Sequence, residues 1–185
     1  LTDRGTNLGF PTIRSNDHEI GRLGAAHLAQ RGYQHFAFCG FQREAWSARR
    51  YAGFQQRLAE QQFTADFYES HWHESPWGST AAPSWEQQQR ELIEWIRRLP
   101  KPVGIMACND TRGQHVLDVC SSAGVSVPEE AAVIGVDNDQ LLCELCNPSL
   151  SSVIPNAEEI GYLAAETLDR LMSFRPIASK EQIVD

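Results

Sequence analysis

The sequence predicts an α/β fold, a doubly wound parallel sheet with helices on both faces, and three observations carry that expectation. Strand-like and helix-like segments alternate along the 185 residues, which is the pattern of parallel strands joined by crossover helices. The runs FAFC (36–39), VGIMAC (103–108) and AAVIGV (131–136) are apolar throughout, as strands covered on both faces are. Between them lie segments with an apolar stripe at helical spacing and a stop signal at the end.

In chain order, Asn16 or Asp17 caps a helix in which Ile20, Leu23, His27 and Leu28 form one face, with Gly32 as its stop. Residues 35–39 read as a short buried strand closed by Gly40. Residues 45–62 read as a helix carrying Phe54 and Leu58, and residues 65–69 as a second strand. The stretch 71–84 holds Pro76, Gly78, Pro83 and two tryptophans, which is loop chemistry. Residues 85–99 are amphipathic, with Leu92, Trp95, Ile96 and Leu99 on one side, and Pro100 and Pro102 end that helix. A strand over 103–107 leads into a helix over 110–123 that Gly124 stops. A strand over 132–136 runs into the polar Asp137-Asn138-Asp139. A short strand over 151–154 and a long helix over 156–172, with Ile160, Leu163, Ala164, Leu168 and Leu171 on its apolar face, complete the pattern.

Composition narrows the function. Hydrophobic residues make up 42% and charged residues 22% of the chain, both ordinary for a soluble globular protein. No run approaches the roughly 18 apolar residues of a membrane span, and no charged segment precedes an apolar one in the manner of a secretory signal. No membrane partner and a cytoplasmic location are therefore expected. The first residue is Leu1 rather than Met, and the expectation is a piece of a larger protein. Net charge is −8, whereas a protein that grips DNA phosphates needs a basic face. DNA contact is expected only through a domain outside this chain.

The five cysteines, Cys39, Cys108, Cys120, Cys143 and Cys146, are odd in number and three lie in apolar segments. That suits reduced thiols acting as small hydrophobes. Cys143 and Cys146 have CxxC spacing without the second ligand pair that zinc requires. His71 and His73 flank Trp72 at metal-like spacing, again without a matching carboxylate or cysteine set. Neither a cofactor nor a metal is expected.

Open α/β sheets bind ligands at the carboxyl ends of their strands, so the residues that follow each strand are the candidates. After Cys39 come Gly40 and a loop reaching Trp46, Ser47 and Arg50. After the second strand come Trp72 and Trp77. After Ala107 come Cys108, Asn109 and Asp110, and after Val136 come Asp137 and Asn138. Carboxylates, a carboxamide, a guanidinium and indoles on one rim suit a polyhydroxylated ligand. Carboxylates accept from vicinal hydroxyls, Arg donates through a planar fork, and Trp covers the C–H face of a sugar ring. Each residue also has a plainer reading: Asn109 or Asp110 as the cap of the next helix, Asp137 as a turn residue, Arg50 as a solvated helix charge, and Trp46, Trp72 and Trp77 as core.

The segments 15–28 (SNDHEIGRLGAAHL), 50–54 (RYAGF), 108–110 (CND) and 133–138 (VIGVDN) resemble, in order and spacing, the effector-binding domain of LacI/GalR-type transcription regulators. The tail, with Leu150-Ser151-Ser152-Val153, Ile160-Gly161 and Ala164-Ala165, fits as well. That domain has the periplasmic-binding-protein-like fold. The similarity runs over residues 12–172. Residues 36–40, Trp46-Ser47 and 133–138 make the chain most similar, within that group, to the xylose-operon regulators, which place an AraC-type DNA-binding domain after the sensor. The resemblance implies ligand roles for Arg50, Asn109, Asp110 and Asp137, a sugar ligand (an aldopentose) in a cleft between two lobes, and a homodimer. It further implies that residues 34–149 form the carboxyl-terminal lobe, with 1–33 and 150–185 belonging to the other. Two departures stand out: Ser15-Asn16 where many relatives have Asp-Asn, and Glu44 where some carry a basic ligand residue. The rival expectations are a periplasmic sugar-binding transport protein of the same fold and a small-molecule α/β enzyme. Against the enzyme, the chain lacks both GxGxxG and GxSxG, and nothing joins Ser47, Asp110 and His115 into a triad.

Overall fold

The computed structural model describes residues 10–70, 85–177 and 179–185. Strands β1 (Thr12–Ser15), β2 (His35–Phe41), β3 (Ala65–Ser70), β4 (Val103–Ala107), β5 (Ala131–Val136), β6 (Ser151–Val153) and β7 (Glu181–Val184) alternate with helices. The helices are α1 (Asp17–Gln30), α2 (Ala45–Ala59), α3 (Trp85–Arg98), α4 (Asp110–Ala123), α5 (Gln140–Leu145) and α6 (Ala157–Met172). Five strands form one sheet in the order β3-β2-β4-β5-β6, and β1 and β7 form a separate pair. Every strand pairing is parallel.

The five-stranded sheet has an apolar layer on each face, which is why its central strands have no polar side. On one face Ile20, Ala25 and Leu28 of α1 and Phe54 and Leu58 of α2 pack with Phe36, Phe38, Met106, Ile134 and Val136. On the other, Leu92, Trp95 and Ile96 of α3 and Val116, Leu117 and Cys120 of α4 pack with Ala37, Cys39, Ile105 and Val133. Side chains that alternate along a strand supply the two layers in turn. The helices start and stop where local chemistry directs. Asn16, Asn109 and Asn156 each accept a hydrogen bond from the backbone N–H three residues on, and Gly124 closes α4 in the left-handed conformation at φ 71°.

The lobe division drawn from the sequence differs from this packing at both ends. The resemblance assigns residues 1–33 to the other lobe, yet α1 lies on the five-stranded sheet. Its apolar stripe needs a wide apolar surface, and β4 and β5 offer one. Gly21 and Gly53 let α1 and α2 touch backbone to backbone: a Cβ at Gly53 would lie 1.8 Å from the His18 carbonyl oxygen, and one at Gly21 would lie 1.9 Å from that of Arg50. At the other end β6 pairs with β5 in the main sheet, so residues 151–153 also belong to that body. The β1–β7 pair is joined to it at Asn16, whose N–H donates to the Val184 carbonyl at 2.7 Å. Helix α6 packs against β1.

Candidate functional site

The order β3-β2-β4 makes the carboxyl end of β2 a topological switch point. From β2 the chain runs through α2 on one face to β3, and from β3 it returns through α3 on the other face to β4. Crossovers that diverge in this way leave a crevice above the strand ends, which is where open α/β sheets bind ligands. Trp46 and Arg50 follow β2, Asn109 and Asp110 follow β4, and Asp137 follows β5.

Arg50 is the centre of this region. It is 6% exposed, and its guanidinium is held on three sides. Nε donates to Asp17 Oδ1 at 3.1 Å, Nη1 donates to the Cys108 carbonyl at 2.6 Å, and Nη2 reaches Asp137 Oδ1 at 3.4 Å. The Trp46 ring lies 5.1 Å from the guanidinium carbon, within cation–π range. Asp17 is itself 3% exposed and also accepts from Arg49 at 2.8 and 3.0 Å. One buried carboxylate therefore fixes two guanidinium groups, and the Nη2 edge of Arg50 is the one toward Asp137.

On that edge stands Asp137, whose side chain is 50% exposed. Burial pushes its carboxyl above the usual carboxylate range; Arg50 pulls it back down less strongly, and Asp110 adds to the rise. Its backbone is unusual as well. Asp137 has φ 106° and Asn138 φ 53°, a left-handed stretch that Asp and Asn tolerate better than most residues. The turn is pinned by three backbone donors. Asp137 N–H donates to the Val153 carbonyl at 3.0 Å, Asn138 N–H to Ser152 Oγ at 3.0 Å, and Asp139 N–H to Asp110 Oδ2 at 2.7 Å. Ser152 Oγ in turn donates to Asp110 Oδ1 at 2.6 Å. Gly135 makes room for this brace, since a Cβ there would meet Asp110 Oδ1 at 2.3 Å.

The structure thus sorts the residues singled out from the sequence. Arg50, Asp137 and Trp46 come together. Trp46 is half-buried, and its indole N–H donates to Glu44 Oε2 at 2.9 Å. Asn109 caps α4, its carboxamide oxygen accepting from the Arg112 N–H at 2.9 Å. Asp110 braces the Asp137 turn. Asn109 thus has the cap role that was its plainer alternative, whereas the bracing role of Asp110 was not among the expectations. His71, Trp72, His73 and Trp77 lie outside the described residues. Sequence reasoning missed Asp17 and Ser152. Nothing in the spacing connects Asp17 to arginines 32 and 33 positions away, and an acidic residue in a first helical turn is commonplace. Among the described residues no three His, Cys, Asp or Glu side chains gather as a metal site, and no helix is long and apolar enough to cross a membrane.

The architecture and the sequence both match known proteins. Residues 25–184 fit the model of the periplasmic binding protein-like domain. The chain is 33% identical over 172 residues to the xylose operon regulatory protein of Haemophilus influenzae, covering 91% of this chain and 43% of that protein. It is 33% identical over 163 residues to the xylose operon regulatory protein of Escherichia coli K12, covering 86% and 40%. A solved structure of the xylose-binding transcription activator XylR superposes with a TM-score of 0.79 at 31% identity, over 93% of this chain and 44% of that one. A periplasmic binding protein/LacI-type regulator from Alkaliphilus metalliredigens, solved with D-xylulofuranose, shares the fold at a TM-score of 0.76 and 22% identity, over 94% of this chain and 62% of that one. The chain thus spans about two fifths of the length of the curated relatives it matches. It belongs to the periplasmic binding protein-like domain family.

Proposed function

We propose that this chain is the sugar-sensing part of a cytoplasmic, dimeric transcription regulator, that it binds an aldopentose, D-xylose foremost, and that it binds the sugar without transforming it. The observation that carries the proposal is the Arg50–Asp137 pair at the switch point. Asp137 accepts from two adjacent hydroxyls, and the free edge of Arg50 donates to a ring or hydroxyl oxygen. Trp46 limits the pocket on the Arg50 side and disfavours the extra hydroxymethyl group of a hexose. The relatives described as xylose regulators support the choice of ligand. DNA contact belongs to a domain outside this chain, in keeping with the net charge of −8.

We further assign residues 17–153 to one lobe, with β1, α6 and β7 contributing to the second, so that the sugar lies between them. Calorimetric titration of the full-length protein with D-xylose, L-arabinose, D-ribose and D-glucose tests the reading. The expected result is tightest binding of xylose and an unchanged sugar on recovery. Preference for a nucleobase or an amino acid contradicts the sugar class, and turnover of the sugar contradicts a purely sensing role.

A further inference from the structure

Arg112, in the first turn of α4, presents a charge anomaly on the sheet face opposite Arg50. It is 3% exposed. Its Nε donates to the Cys39 sulfur at 3.1 Å, and its guanidinium carbon lies 5.0 Å from the Phe41 ring centroid and 5.5 Å from that of Tyr68. Among the described residues no carboxylate forms an ion pair with it, and Nη2 has no hydrogen-bond partner. Arg50 shows the contrast: equally buried, it meets two carboxylates and a carbonyl. A charge taken out of water against a sulfur and two ring faces alone is strongly disfavoured unless a counter-charge is supplied.

Two further polar atoms on this face are also unpartnered. The hydroxyls of Tyr68 and Ser70 are buried without a hydrogen bond, and Ser70 is 5% exposed. In the β2–β3 register Tyr68 stands opposite Cys39 and Ser70 opposite Phe41, the two β2 residues that touch Arg112. Native interiors leave few such groups unsatisfied, and a cluster of them marks a place where something binds. Arg112 also lines a small open cleft of about 30 Å³ with Gln88, Leu92, His115 and Asp118, between α3 and α4, room for a small occupant only.

We propose that the α3–α4 cleft is a second ligand site, separated from the sugar site by the sheet, which takes a small monoanion, a carboxylate or an inorganic anion, on the Arg112 guanidinium with the Tyr68 and Ser70 hydroxyls as neighbouring donors. The planar fork of Arg112 suits two oxygens at once. A single negative charge is preferred, because Asp118 also lines the cleft and Glu91 acts electrostatically on Tyr68; a dianion meets repulsion from both.

The test is thermal unfolding of the full-length protein in chloride-free HEPES at constant ionic strength, titrated separately with acetate, chloride and phosphate. The expected result is a saturable rise in Tm with acetate or chloride, half-complete at roughly millimolar concentration, and a smaller rise with phosphate at neutral pH. Arg112→Gln removes the saturable rise, while Asp137→Asn keeps it. Acetate preferred over chloride identifies a carboxylate ligand, and the reverse an inorganic one. Shifts that follow ionic strength alone, or that persist in Arg112→Gln, mean that water fills the cleft and overturn the proposal. Should Arg112→Gln fail to fold, acetate titration of the 15N-labelled wild type decides. The Arg112 side-chain and Ser70 amide signals must then move on one saturable curve, and fixed signals overturn the proposal.

Discussion

A buried guanidinium is stable only when its donors and its charge are matched, and in Arg50 that task falls largely to Asp17. Removing one partner of a buried ion pair costs about 3–5 kcal/mol, because the other charge stays behind unmatched. Asp17→Asn should therefore lower stability by about 3 kcal/mol or more in urea denaturation and, through Arg50, weaken sugar binding, although Asp17 is itself buried. Unchanged stability would show that Arg50 does not depend on Asp17. Asp137 behaves in the opposite sense to a paired carboxylate. Its folded-state carboxyl is raised above the usual range, so its contribution to stability is full at low pH and is lost as pH rises through the folded-state value. Asp137→Asn carries no such charge. The variant should match the wild type near pH 3 and become the more stable of the two toward pH 7; a difference that does not vary with pH contradicts this. Arg50 and Asp137 were legible from the sequence because each follows an apolar strand. Asn109 and Asp110 were ambiguous because the same position serves a cap or a ligand contact, and the hydrogen bonds they accept from Arg112, Asp139 and Ser152 leave no trace in the spacing.

Among the elements, β2, β4 and β5 were plain from their unbroken apolar runs, and α3 and α4 from their stripes and the Pro100 and Gly124 stops. β1 and β7 were not. Each is four residues long, and each pairs only with the other, Thr12 opposite Glu181; no local pattern announces so distant a partner. The six-residue α5 is too short for a helical period to show. What α1 packs on is not legible in the sequence, because an apolar stripe reveals that a helix is covered but not what covers it. The signal lay in Gly21 and Gly53, whose bare backbones allow α1 and α2 to approach. Gly53→Ala should force the two helices apart, since its methyl would meet the His18 carbonyl. Overpacking of this kind typically costs about 1–3 kcal/mol, and here the obstacle is rigid backbone. A loss of about 3 kcal/mol in chemical denaturation is expected, together with weaker sugar binding, because Arg50 rides on α2 and Asp17 on α1. A neutral outcome contradicts the close contact.

The whole molecule has one well-covered body and one sparsely covered region. The five-stranded sheet is layered on both faces, whereas Tyr162, Leu168 and Met172 of α6 are 69%, 58% and 73% exposed and Phe174 beyond it 98%. The relatives that contain this fold are more than twice as long as the stretch matched here, and the sugar site is proposed to lie between that region and the main body. The central claim is that Arg50 and Asp137 hold the sugar there, and calorimetric titration of D-xylose into full-length wild type and Asp137→Asn tests it most directly. Asn keeps the shape of the turn and its tolerance of positive φ but removes the charged acceptor. A hydrogen bond to a charged group contributes about 1.5–3 kcal/mol net, which corresponds to affinity weaker by roughly 10- to 100-fold. The account predicts that loss with thermal unfolding at pH 7 no worse than wild type, and an unchanged affinity for xylose would contradict it.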